Sequence, residues 1–256
     1  MVRIKIRLHF IFLFSYKRNF IVSKKNLSFP KSTEAFLSRL KKNNSKEWFQ
    51  DHKTEFESDV LDPARDFVLQ YGSMLKDVVP ELVVEPKING SIFKLYRDTR
   101  FSANKQPYKT NLGIYFWDRR LAKMDSPGFY VHFEPGLYFC AAGVYQFSKE
   151  YLKAYRTVVS SKAEAERFTN VIDDLSKIPG IAVHGKSLKR GPLNHQLEDY
   201  NKNLLLYTAM YADASGTDYS VFESIDPAEY FFERTLSMLE LFELLRETVF
   251  RKGTIR

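Results

Sequence analysis

One cysteine, Cys140, is all the thiol chemistry in 256 residues. That excludes a disulfide-stapled scaffold and a multi-thiolate zinc centre, and it suits a reducing, cytoplasmic setting. The five histidines fall in no HxH or HExxH spacing, so no metal site is indicated. No Gly/Ser-rich linker and no internal repeat divides the chain. A membrane-spanning helix needs about 20 apolar residues; the run Leu8–Phe14 stops at seven. Acid is missing altogether from residues 1–33, which carry Arg3, Lys5, Arg7, Lys17, Arg18, Lys24, Lys25 and Lys31.

That first stretch reads as an appended basic and apolar segment, residues 1–28, outside the fold. No small-x-small cleavage site follows Leu8–Phe14, so a secretory signal is a poor match; organelle targeting and membrane-surface contact are the alternatives. Residues 34–256 hold 31 basic and 31 acidic residues. The body is therefore not a basic protein, and average charge supplies no broad grip on nucleic acid. Within it, residues 94–123 hold eight basic residues against Asp98 and Asp118. The cations concentrate in one segment.

What is plentiful is apolar and aromatic material, 44% hydrophobic and 15% aromatic. That excludes a disordered chain and supports a substantial core. Ser32 or Thr33 can cap a first helix with Phe36, Leu37 and Leu40, ending at Asn43-Asn44. Ser45 can cap a second with Trp48, Phe49, His52 and Phe56 on one side, where Trp48 and Phe49 are expected to be core. Asp62-Pro63 opens a third carrying Phe67, Val68, Tyr71 and Leu75. Four strand-like runs follow: Ser91–Arg97, Asn111–Trp117, Gly128–Glu134 and Leu137–Phe147, the last two joined at Pro135-Gly136. They read as an antiparallel meander. Helices return over Lys149–Ser160 and Ala163–Lys177. Short strands are expected over Ile181–Leu188 and Leu204–Ala212. Asp226-Pro227 with Glu229 starts a last helix of about 25 residues, ~37 Å long, ending at Lys252-Gly253. The pattern predicts one α+β domain over residues 29–252, a meander sheet with helices before and after it, closed by the long C-terminal helix.

The connection between the first two strand-like runs, Asp98–Thr110, is too long for a hairpin loop, which usually takes two to five residues. Loops of this length in compact domains are often functional. The loop and its flanks hold Arg97, Arg100, Lys105 and Lys109 with Thr99 and Tyr108, the mix of guanidinium forks, ammonium groups and hydroxyls that surrounds a bound phosphate or carboxylate. These six are the candidate ligand-binding residues. Asp98 is the local acid; it can orient an arginine or act as a base, with the Lys94 cation near it.

The same stretch, GSIFKLYRDTRFSANKQPYKTNLGIYF, together with NNSKEWFQDHKTEFE and GFYVHFEPGLYFCAAGVYQF, resembles the uncharacterised family called domain of unknown function 2461. The resemblance spans about residues 29–250. Its RDTRF and PYK elements fall on Arg97, Asp98, Thr99, Arg100 and Phe101, then Pro107, Tyr108 and Lys109. It brings no activity with it, but it marks the loop as a site.

Other constellations are weaker. Gly180–Ser187 fits the phosphate-loop pattern GxxxxGK[ST], but the expected helix over Ala163–Lys177 ends just before it and Gly191-Pro192 breaks the chain soon after. A chance glycine spacing in a strand-turn is the better reading. His132 and Glu134 share a strand face with Tyr130, about seven ångströms apart along the strand, a spacing compatible with acid–base chemistry. Cys140, among Phe139, Ala141 and Ala142, reads as a buried inert thiol.

Three functions fit these residues. The first is binding of a phosphorylated or otherwise anionic small molecule at the 97–109 loop, with Asp98 or His132 and Glu134 as candidate acid–base groups. The second is a nucleic-acid-binding module using the same cations. The third is a protein-interaction module using the aromatic sheet face. Convergence of cations in a concavity favours the first, an exposed ridge the second, and a large aromatic patch without a pocket the third. The residues name no cofactor and no reaction.

Overall fold

A computed structural model describes residues 29–189 and 202–250. The expectations for residues 1–28, for Gly191-Pro192 and for the helix end at Lys252-Gly253 lie outside the described residues. Helices α1 (Lys31–Lys42), α2 (Lys46–Asp51), α3 (Lys53–Phe56) and α4 (Asp62–Val78) lead into the strands β1 (Leu112–Trp117), β2 (Gly128–Glu134) and β3 (Leu137–Val144). Then come α5 (Lys149–Val159), α6 (Lys162–Ser176), β4 (Ile181–Lys186), β5 (Tyr207–Gly216) and α7 (Pro227–Phe250). The fold is α+β. The sheet is antiparallel throughout, in the order β1-β2-β3-β5-β4.

Capping explains several boundaries. The Ser45 hydroxyl accepts from the Trp48 N–H, Ser148 does the same for Tyr151, and Asp226 Oδ1 accepts from the N–H groups of Ala228 and Glu229. These bonds satisfy donors that the first turn of a helix leaves open. Two expected caps are different. Ser32 and Thr33 donate to the Asp59 carbonyl instead, tying α1 to the turn before α4. Asp62 accepts from Arg65 rather than capping, because a π-helical turn, Glu57–Leu61, carries the chain into α4 without a break. Trp48 and Phe49 are only partly buried, packed at the edge of the core.

The meander holds for β1–β2–β3 only. β5 inserts between β3 and β4, leaving β4 at the edge. The run Ser91–Arg97 is not a strand of this sheet. Its pairing splits: Ser91 and Phe93 bond to the backbone of β1, then Leu95 and Arg97 bond to Lys109 and Pro107. Leu204–Leu206 is a 3₁₀ turn, so the expected strand at 204 begins at Tyr207.

Strand alternation sorts side chains onto two faces. Leu112, Ile114 and Phe116 of β1, Phe129, Val131 and Phe133 of β2, and Cys140, Ala142 and Val144 of β3 are buried on one face. Phe129 stacks on Phe242 of α7 at 4.3 Å, and Phe133 meets Phe231 of α7 and Phe67 of α4 edge-on. Each fully buried phenylalanine contributes roughly 1.5–3 kcal/mol. The face turned away from α4 and α7 carries the site. No helix among the described residues is long and apolar enough to cross a membrane.

Candidate functional site

The second sheet face is aromatic except where two neighbouring strands, β2 and β3, present small residues. Across the sheet, Tyr130 pairs with Ala141 and Ala141 with Asp213; one row away, Gly128 pairs with Gly143 and Gly143 with Tyr211. Strands lie about 4.8 Å apart, so Gly128, Ala141 and Gly143 leave a floor roughly 10 Å across. Gly143 is fixed by backbone as well as space: its φ is +137°, and a Cβ there would meet the Met210 carbonyl oxygen at 2.3 Å. The result is a cleft of about 420 Å³, walled by Phe93, Tyr115, Tyr130, Phe139, Tyr145 and Tyr211. Lys109, Asn111, His132 and Asp213 supply its polar groups. That volume lies in the range of small-molecule sites, about 300–1,000 Å³.

His132 occupies one wall. Its ring stacks on Phe139 at 4.7 Å. Its Nδ1 lies 2.9 Å from the Tyr130 hydroxyl, and its Nε2 lies 3.4 Å from Glu134 Oε2. Burial pushes the imidazole below its ordinary pKa, and Glu134 opposes that shift. Burial also raises the Tyr130 phenol well above its ordinary range. The hydroxyl has room because Gly113 stands opposite: a Cβ at Gly113 would meet it at 2.6 Å.

Cations gather at the Phe93 side. Lys109 Nζ lies 5.7 Å from the Phe93 ring centroid and Lys123 Nζ 4.4 Å from it. Lys123 also donates to the Gly90 carbonyl. Burial lowers both ammonium pKa values; Lys94 adds to the effect on Lys109, and Glu85 opposes it on Lys123. Lys123 counted in the charge of the 94–123 segment but was not singled out. Its separation from the loop in sequence hid it. The opposite rim carries a second histidine–carboxylate contact, His184 Nε2 to Asp213 Oδ2 at 3.2 Å, with His184 stacked on Tyr211.

Of the six loop residues read as ligand-binding, the structure brings Lys109 to the cleft; Arg97, Thr99, Arg100, Lys105 and Tyr108 do not line it. Arg100 grips Asp98 through Nε and Nη2, and that pairing holds the Asp98 carboxyl below the usual range. Lys105 donates to the Thr99 carbonyl. Phe101, 96% exposed, marks the tip. Tyr108 is an anchor: it is buried, stacks on Phe49 at 4.2 Å, and exchanges two backbone hydrogen bonds with the Asn44 side chain. The Arg97–Pro107 and Leu95–Lys109 bonds close the loop from below. This anchoring is what sets Lys109 beside Phe93.

Arg120 belongs to a different cluster. It binds the buried Asp118, which also takes a bond from Arg246. The phosphate-loop pattern lies in β4, an edge strand with a register shift between His184 and Lys186, and Lys186 Nζ sits over the Tyr207 ring. No group of three or more His, Cys, Asp or Glu side chains among the described residues is arranged to hold a metal ion.

The fold and cleft thus define an α+β protein whose antiparallel sheet is covered by helices on one face and opens a ligand-sized cleft on the other. The chain belongs to the family described as "Conserved hypothetical protein (DUF2461)", whose family model matches residues 32–241. No curated protein and no solved structure gives a match.

Proposed function

We propose that the protein binds a small anionic molecule with a flat apolar body in the cleft on the open sheet face. The carrying observation is the half-buried ammonium group of Lys109, which lines the cleft beside Phe93; Lys123, over the same ring, does not line the cleft but adds a second positive charge next to it. An ammonium group whose charge is poorly solvated gains from a counter-ion, and the aromatic walls supply the apolar contact that small ligands need. The binding region of the 97–109 segment is its Lys109 end. Arg100 and Lys105 already have partners, which weakens the nucleic-acid reading. The cleft interrupts the aromatic face, which weakens the protein-interaction reading. The single cysteine suits a cytoplasmic setting.

A thermal-shift panel of benzoate, phenyl phosphate, inorganic phosphate and uncharged benzamide tests this. A ligand that binds only the folded state raises the melting temperature by mass action. Benzoate or phenyl phosphate should raise it more than inorganic phosphate or benzamide. Lys109→Ala should remove the rise and Arg100→Ala should keep it. Loss of the rise with Arg100→Ala alone would move the site to the loop tip, and no rise with any anion would remove the reading.

A further inference from the structure

We propose that Tyr130, His132 and Glu134 form a proton relay leading from the cleft towards solvent, and that the cleft takes a planar phenol or enol whose hydroxyl proton enters this relay. The inference rests on the small-molecule reading of the cleft and names the ligand class. The three side chains stand at alternate positions of one strand, so β2 alone sets their spacing.

The direction of the relay follows from one hydrogen bond and one ion-pair contact. Nε2 faces the Glu134 carboxylate at 3.4 Å. A carboxylate only accepts, so the ring nitrogen facing it carries the proton. In the neutral ring Nδ1 is then an acceptor, and the Tyr130 hydroxyl, 2.9 Å away, donates to it. That leaves the lone pairs of the Tyr130 oxygen for a donor in the cleft. A ligand hydroxyl placed there gives its proton to the Tyr130 oxygen while Tyr130 passes its own proton to Nδ1. One O–H bond breaks on the ligand and one N–H bond forms on His132. The ligand becomes an oxyanion and the ring an imidazolium beside Glu134. No electrons change hands. Glu134 lies two residues along the strand, next to the Pro135-Gly136 turn, and its side chain is 39% exposed, so the charge can exchange with water there.

The surroundings select the ligand class. Phe93 stands 6.2 Å from the Tyr130 ring, with the Lys109 and Lys123 ammonium groups on it. An anion formed at Tyr130 is therefore one aromatic ring away from two cations. The other ionisable groups around the relay are Tyr115 from β1, Tyr145 beyond β3, and Tyr211 and Asp213 from β5. Delocalised oxyanions on flat rings match both the walls and this charge pattern, whereas a saturated alcohol is too weak an acid to ionise against a histidine.

4-Nitrophenol is the probe, because its absorbance reports its ionisation. Bound to the wild-type protein, it should ionise at least one pH unit below its value in free solution, a tenfold gain in acidity. His132→Gln and Tyr130→Phe should bind it with ionisation at the free value. In the ligand-free protein, nitrogen NMR should find His132 protonated on Nε2, with the Nδ1 hydrogen-bond signature lost in Tyr130→Phe. Binding of the probe with no shift, a shift that survives His132→Gln, or a proton found on Nδ1 each overturns the relay and leaves the cleft reading intact. Binding of benzoate but not of 4-nitrophenol overturns the ligand class. Binding of none of the aromatic probes removes the cleft reading itself.

Discussion

Arg246 Nε lies 2.9 Å from Asp118 Oδ2, although 128 residues separate them. The contact ties the last turns of α7 to the end of β1. Asp118 is fully buried, and Arg246 also reaches Glu81 and Glu243. Ser126 Oγ accepts from the Asp118 N–H, so the connection that follows β1 is held at the same point.

Asp118→Ala should therefore destabilise the fold by about 2–3 kcal/mol, at or below the lower end of the roughly 3–5 kcal/mol for breaking a fully buried pair, because both arginines stay partly exposed. Burial alone would raise the Asp118 pKa; the bonds from Arg120 and Arg246 outweigh it and hold the carboxyl below its ordinary value. A depressed folded-state pKa contributes stability that is present above the unfolded value, near 4, and lost as pH falls through the folded value. Urea unfolding of wild type and Asp118→Asn, from pH 7 down to pH 3, should show the wild-type advantage shrinking below about pH 4. An advantage constant with pH would show that the pair contributes nothing through ionisation.

Cys140 should resist alkylation in the native protein. Its thiol faces the helix layer, and burial pushes its pKa up to about 12, so almost no thiolate exists at pH 8. Iodoacetamide should label it only in denaturant. Native labelling at a comparable rate would show the core opening on the time scale of the reaction.

The legible parts were those that local chemistry decides. Ser45 and Asp226 cap as expected, Pro135-Gly136 turns β2 into β3, and Cys140 is buried. What stayed hidden depends on pairing between distant segments. The insertion of β5 beside β3 cannot be read from chain order. The run Ser91–Arg97 has strand composition, yet its hydrogen bonds are divided between β1 and the 107–109 segment. The cleft floor is made of three small residues from two strands, Gly128 opposite Gly143 and Ala141 one row away, and only the register brings them together. The cations of the 97–109 segment are close in sequence, which does not make them converge: Arg100 turns back to Asp98 two residues away. The His132–Glu134 pair was visible because strand periodicity alone places it, and Tyr130 shares the same face.

Lys109→Met should leave ligand-free stability at pH 7 unchanged or higher by up to about 1 kcal/mol, allowing for solvent screening of a half-buried group. Burial, then Lys94, lowers the Lys109 pKa. A lysine depressed in the folded state contributes stability above its unfolded pKa, near 10.4, and loses it as pH falls through the folded value. At pH 7 the wild type therefore carries the charge at some cost, and its stability relative to Lys109→Met should rise between about pH 9 and 11. A variant markedly less stable at pH 7 would make Lys109 a structural residue rather than a counter-charge awaiting a ligand.

Ala141→Leu is the substitution that separates the cleft from the fold. Ala141 lies at the centre of the floor, between Tyr130 and Asp213 in register, with its side chain on the open face. Leucine adds three carbons to a cleft of about 420 Å³ and lays them against aromatic walls. Burying that added surface should hold stability level or raise it by about 1 kcal/mol, a shift of roughly 2–4 °C in the melting temperature. Binding of benzoate or 4-nitrophenol should weaken at least tenfold, because their rings need the same space. Gly143→Ala cannot serve for this purpose: the positive φ and the Met210 carbonyl would damage the sheet along with the cleft. Equilibrium dialysis of the probe with wild type and Ala141→Leu, alongside melting curves, gives both readings. A variant that is equally stable and binds as tightly as wild type would place the ligand somewhere other than the open face of the sheet.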